Sequence, residues 1–137
     1  MDGAYLFCQD HKYYIRGRGT FAIGNNVAYT YETVDKINGV KVLQGLGGKH
    51  GLPEEAHSSD AYIKLKDDGT FHEMRIYDKD HYLVFELAYH PEPSLDPSRR
   101  PVLHYHLYDR KFNRTSARKA TRAMKKRYKK YLKGVRL

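Results

Sequence analysis

Residues 61–90 read AYIKLKDDGTFHEMRIYDKDHYLVFELAYH. Three β-favouring runs, at 61–66, 70–77 and 81–90, are separated by Asp67-Asp68-Gly69 and Asp78-Lys79-Asp80. Asp and Gly in those joints supply local hydrogen bonds and positive φ, so the connections are tight and neighbouring strands run antiparallel. The stretch therefore predicts a β-meander. Downstream, Pro91, Pro93 and Pro97 force residues 90–100 into an extended loop, and residues 101–108 form a further strand.

Working back towards the N-terminus, Asn38-Gly39 lies between β-favouring runs at 33–37 and 40–43. That dipeptide accepts the positive φ angles of a two-residue hairpin turn. Short strands are also expected at 4–8, 12–16 and 26–31. Residues 44–59 hold several glycines and Pro53, which reads as a loop with one helical turn at 53–57. The chain has 137 residues, 40% of them hydrophobic, with 13 Tyr and 5 Phe, enough for one domain with a real core. The expected fold is α+β: an antiparallel meander sheet with a basic amphipathic helix packed on it. Residues 1–109 form the β-rich, histidine-containing body and residues 110–137 the basic C-terminal element of a single domain.

Charge is divided unevenly. Residues 110–137 contain 13 of the 25 Lys and Arg and no Asp or Glu, giving +13, whereas residues 1–109, with 12 basic and 16 acidic side chains, carry −4. Thr115 or Ser116 can cap a helix over 117–133, with Gly134 as its stop. Ala117, Ala120, Met124, Tyr128 and Tyr131 share one face of that helix. Arg118, Lys119, Arg122, Lys125, Lys126, Arg127, Lys129, Lys130 and Lys133 fill the rest. No acidic residue sits at i+4 to offset their repulsion, so the helix needs docking or an anion to form. Nine cations on one element suit nucleic acid or an acidic protein partner, through phosphate neutralisation and counterion release. Tyr108, Phe112, Tyr128 and Tyr131 add base stacking if exposed.

Eight histidines are the second unusual feature. In His104-Tyr105-His106, alternate strand residues point to one face, so both imidazoles project together. Two imidazoles are half of a tetrahedral zinc site, and His50 and His57 in the glycine-rich loop are the candidate remaining ligands, with Asp60 as a further one. The same residues suit acid–base chemistry on a phosphodiester, with His104 or His106 acting with His57, and Lys49 or Arg99 stabilising developing charge. They also suit ordinary half-buried sheet positions. His72, in alternation with Met74 and Ile76, reads as a core-edge residue.

Other constellations exclude more than they suggest. Gly45-Leu46-Gly47-Gly48-Lys49 lacks the spacing and the Ser/Thr of a phosphate loop. Arg16-Gly17-Arg18-Gly19 is a short RG element, and Glu54-Glu55 reads as a solvated pair. Cys8 is the sole cysteine, so neither an internal disulfide nor a cysteine-based zinc finger is possible. No run approaches the ~20 apolar residues of a membrane helix, no secretory signal is visible, and a cytoplasmic protein is expected.

Residues 48–57 (GKHGLPEEAH), Ser59-Asp60-Ala61-Tyr62, Met74-Arg75-Ile76-Tyr77-Asp78 and His104-Tyr105-His106 resemble small domains of bacteriophages and prophages. Some of these lie at the C-terminus of phage head-morphogenesis proteins and are regarded as toxin-like. The resemblance spans about residues 47–109 and implies a phage or mobile-element source and action inside a bacterial host. It implies a non-enzymatic anti-defence protein of the anti-CRISPR kind, inhibiting an RNA-guided nuclease by binding the enzyme or its nucleic acid. A small histidine-dependent RNase toxin and a phage nucleic-acid-binding accessory protein are the alternatives.

Overall fold

The computed structural model describes residues 31–46, 50–56 and 58–137 in full, and the strands at 5–9, 12–16, 22–23, 26–27 and 29–30 by their backbone pairing. The strands are β1 Tyr5–Gln9, β2 Lys12–Arg16, β3 Ala22–Ile23, β4 Asn26–Val27, β5 Tyr29–Ile37, β6 Val40–Gly45, β7 Ala61–Leu65, β8 Phe71–Tyr77, β9 Leu83–Pro91, β10 Pro101–Leu107 and β11 Arg118–Lys119. A short helix, α1 Arg122–Tyr128, runs into a 3-10 turn at Lys129–Tyr131. Nine strands form one sheet in the order β1-β2-β5-β6-β7-β8-β9-β10-β11, and β3 pairs with β4 separately.

The meander over β7, β8, β9 and β10 is antiparallel throughout, with tight Asp-containing turns joining β7 to β8 and β8 to β9 and the Pro-rich loop joining β9 to β10. Asn38 and Gly39 turn β5 into β6 with φ of 48° and 84°, the two positive values that a type I′ turn needs. The sheet as a whole is mixed, not antiparallel. β6 and β7 run parallel, joined only at Lys41↔Tyr62 and Val42↔Ile63. The physical reason is the length of the connection between them: it is too long for a hairpin, and its residues 50–56 cross over one face. There is no helical turn at 53–56. Glu55 instead bridges Tyr82, with Leu83 N–H donating to Glu54 O at 2.9 Å and Ala56 N–H to His81 O at 2.8 Å.

The crossover is held by the sheet beneath it. Four consecutive carbonyls accept hydrogen bonds from sheet side chains. His50 O takes Lys64 Nζ, Gly51 O takes Tyr31 Oη at 2.6 Å, Leu52 O takes Arg75 Nη1 at 2.6 Å, and Pro53 O takes Tyr77 Oη at 2.6 Å. Leu52 and Ala56 close an apolar core with Tyr31, Leu43, Tyr62, Tyr77 and Leu83 on this face. On the opposite face Val42, Ile63, Phe71, Met74, Leu87 and Leu103 pack under Ala120 and Leu132 of the C-terminal segment.

That segment differs from the single helix expected over 117–133. Arg118 and Lys119 extend the sheet by pairing with Tyr105 and His104 of β10. Thr121, not Thr115 or Ser116, caps the helix, accepting from Met124 N–H at 3.1 Å. Thr115 Oγ1 instead accepts from Leu107 N–H at 3.0 Å. A long helix of like charges has no internal support, whereas the free edge of β10 offers backbone partners. The chain then straps across the apolar face. Asn38 Nδ2 donates to Lys130 O at 2.9 Å and Phe71 N–H to Lys133 O at 2.8 Å. Ala120 is buried and Met124, Tyr128 and Tyr131 are half-buried, so those positions of the expected seam do face the sheet.

Gly134 ends the strap at φ +77°, and a Cβ there would meet Thr70 Cγ2 at 2.5 Å. Gly134→Ala therefore combines left-handed strain with a steric clash, and a loss of about 1–2 kcal/mol or more is expected in chemical denaturation. An unchanged midpoint would mean that the strap end does not bear on stability.

Candidate functional site

The face that carries the crossover becomes polar towards β10. Direct cross-strand partners share a face, which places Lys64, Glu73, Ala88, His104 and Lys119 in one row across β7–β11, and Tyr62, Arg75, Glu86 and His106 in the next. His90, opposite Val102, belongs to the same face.

His72 joins them through an irregularity. Lys64 pairs with Glu73 but Leu65 pairs with Phe71, so His72 is an extra residue in β8. A bulge of this kind re-aims a side chain. His72 thus leaves the face of Met74 and meets His90, ring centroids 5.8 Å apart. The core-edge position expected from strict alternation is corrected accordingly. His90 contacts His104 at 4.6 Å and His104 contacts His106 at 5.4 Å, each pair nearly perpendicular. Four imidazoles therefore form a continuous edge-to-face row over three strands.

Backbone carbonyls orient three of these rings. Nδ1–H of His90 donates to Pro91 O, that of His104 to Val102 O, and that of His106 to Thr115 O, each at 2.8 Å. A carbonyl only accepts, so Nδ1 carries the proton and Nε2 is the remaining exchangeable atom. His104 and His106 are 0% and 4% exposed, which keeps both from meeting a solute directly. Nε2 of His104 is buried without a hydrogen-bond partner. Burial holds the His104 imidazole below its ordinary pKa, with His90 and His106 adding to the effect and the bond to Val102 opposing it. Burial likewise lowers His72, reinforced by Lys64.

Beside the row lies a buried ion pair, Arg75 Nε to Glu86 Oε2 at 2.7 Å. Burial pushes Glu73 up, and the neighbouring Glu86 adds to this. Arg75 also holds Leu52 O and lies 5.7 Å from the Tyr108 ring. Its removal strands Glu86 and a carbonyl together. Arg75→Met is expected to cost about 3–5 kcal/mol in urea unfolding, and a loss below 1 kcal/mol would show the pair to be dispensable.

The expected residues come together in part. His104 and His106 are adjacent, as their spacing implies. His50 is exposed on the β7 side, three strand spacings or roughly 14 Å from β10. His57, Lys49, His11, the glycines at 47–48 and residues 17–19 of the RG element lie outside the described residues, as does the side chain of Cys8. Among the described residues no three His, Cys, Asp or Glu side chains form a group able to hold a metal ion. Glu55 is buried, so the Glu54-Glu55 pair is not the solvated one expected. His72, His90, Lys64 and Arg75 were not singled out by sequence as members of one site. Only the cross-strand register unites them.

The basic strap offers a second surface. Arg118, Lys119, Arg122, Lys126, Arg127, Lys129, Lys130 and Lys133 are exposed and Lys125 is half-buried. Among the described residues none of these nine makes an ion pair. Arg110, by contrast, is neutralised by Asp78 at 3.0 Å and Asp80 at 2.8 Å. The aromatic residues nearby are already engaged. Tyr128 stacks on Phe85 at 5.8 Å beneath the Arg127 guanidinium at 5.6 Å, and Lys130 lies 5.1 Å from the Tyr131 ring. Phe112 packs on Tyr82 at 5.9 Å. The four rings expected to stack on bases, Tyr108, Phe112, Tyr128 and Tyr131, are all half-buried. No described helix is long and apolar enough to cross a membrane.

Comparison with protein-family models, with curated proteins and with solved structures finds no significant match. The residues themselves carry the functional reading.

His72 and His104 release protons more readily in the fold than in the unfolded chain, where imidazoles titrate near 6.5. As pH falls below that value the unfolded state binds protons first, so stability is full above it and declines towards pH 5. The melting temperature should fall between pH 7.5 and pH 5. His104→Asn, which retains an N–H for Val102 O, should shrink that fall. An equal fall in the variant would remove His104 from the acid response.

Proposed function

We propose that the protein binds nucleic acid through the basic strap, gripping the phosphate backbone without reading bases. The observation that carries this reading is the set of nine strap cations without an ion-pair partner among the described residues, on an element whose apolar side is fixed to the sheet. Docking removes the need for the helix to support its own charge, and the cations stay oriented outward. The engaged tyrosines argue for phosphate contact in place of stacking. Such binding is electrostatic, tolerant of sequence and strongly weakened by salt.

The resemblance to phage domains suggests the setting. In it, the protein is an anti-defence factor that binds an RNA-guided nuclease or the nucleic acid in its channel. The acidic body and basic strap suit a partner presenting both protein and phosphate. Inhibition of target cleavage by purified CRISPR nucleases, together with co-purification, tests that setting.

Fluorescence anisotropy with a labelled 20-mer tests the binding itself. Affinity should drop by on the order of a thousandfold between 50 and 200 mM salt if about six phosphates are neutralised. Lys126→Ala, Arg127→Ala, Lys130→Ala and Lys133→Ala combined should flatten the slope by about four. Point variants are required, because truncation at residue 109 would remove Ala120 and Leu132 from the core. A slope unaltered in the quadruple variant would contradict the role of the strap.

A further inference from the structure

His72 and His90 are half-buried, whereas His104 and His106 behind them are closed off. The two outer rings stand 5.8 Å apart and nearly perpendicular, at 73°. His72 is placed there by a bulge that strict alternation would not produce, and His90 is oriented by its bond to Pro91 O. Lys64 occupies the same face one strand away, with one proton on His50 O and two further donors. This end of the sheet also contains a buried imidazole nitrogen without a hydrogen-bond partner, Nε2 of His104, which is destabilising. An apolar residue would fill that position at lower cost, and such local conflicts concentrate at functional sites.

We propose that His72 and His90, with Lys64 beside them, form an acid–base site that cleaves RNA. The proposal takes its substrate from the nucleic-acid reading above. His72, neutral, accepts the proton of a ribose 2′-hydroxyl. The 2′-oxygen attacks the adjacent phosphorus and the bond from phosphorus to the 5′-oxygen breaks. His90, protonated at Nε2, delivers its proton to that leaving oxygen. The products are a 2′,3′-cyclic phosphate and a 5′-hydroxyl, and no metal or further reactant enters the balance. Lys64 offsets the charge that gathers on the non-bridging oxygens. His104 is a positioning residue that backs the His90 ring.

The charged surroundings suit this division. Burial, Lys64, His90 and Lys66 all disfavour a positive charge on His72. Glu86 favours it weakly, and Glu92 faces His90 and His104 from the loop after β9. Lys119 continues the same face on β11, two strand spacings or roughly 10 Å from β9. RNA rounding that edge can reach the histidines while the strap holds its phosphates.

The test uses the full chain, a labelled RNA 20-mer and a DNA of the same sequence, both in EDTA. RNA should be cut to cyclic-phosphate ends and DNA left intact. His72→Gln and His90→Gln should each lower the rate by at least about a hundredfold, with RNA affinity and melting temperature retained. Lys64→Arg should keep most activity and Lys64→Met should lose it. RNA that is bound but uncut overturns the site and leaves the binding reading standing. Cleavage that survives both histidine substitutions, or equal cleavage of DNA, also overturns it. Absence of both binding and cleavage removes both readings.

Discussion

The fold depends on four consecutive carbonyls, those of residues 50–53, being satisfied by side chains of the sheet below. A chain lying flat on a sheet face has no strand partner for these groups, and leaving the carbonyls of residues 51–53, which lie at least partly buried, unpaired would cost about 1–3 kcal/mol each. Lys64, Tyr31, Arg75 and Tyr77 supply the donors from three strands. With the crossover fixed, Leu52 and Ala56 become core residues and β7 can lie parallel to β6. Burial pushes the Tyr31 and Tyr77 hydroxyls up in pKa, so both are protonated donors at neutral pH.

The arrangement divides the sheet into two faces with different tasks. One face is apolar and is covered by the strap, whose cations point outward. The other is apolar only beneath the crossover and turns into histidine, glutamate, lysine and arginine towards β10. β11 lies at the junction, with Arg118 paired to Tyr105 on the apolar face and Lys119 paired to His104 on the polar one. Two residues thus connect the charge asymmetry of the chain to its histidine content.

Much of the architecture was legible in the sequence because it follows from local chemistry. Asn38-Gly39 and the Asp-rich joints dictate their turns, and the alternation in 101–107 places His104 and His106 side by side. What was not legible depends on partners far along the chain. The parallel junction requires knowing that residues 50–53 find donors on β5, β7 and β8. The orientation of His72 rests on a one-residue register slip between β7 and β8, which leaves no periodic mark. The shortening of the C-terminal helix reflects the free edge of β10, and no helix propensity reports on a strand edge. Eight of the nine strap cations are exposed, which needs little tertiary information, but Arg118 and Lys119 lie on β11 and not on the expected helix, and the tyrosines among them are half-buried against Phe85 or their own neighbours.

The strap is at once a charged surface and a structural member, since Ala120 and Leu132 belong to the core. Its mutual repulsion is therefore carried by the folded state as a whole. A polyanion that neutralises those charges acts on the folding equilibrium, raising stability by RT ln(1 + [L]/Kd) when it does not bind the unfolded chain equally well. Salt screens the same repulsion while competing with the polyanion. Under the proposed binding, folding and polyanion capture are thermodynamically linked: the bound protein is held together in part by what it holds.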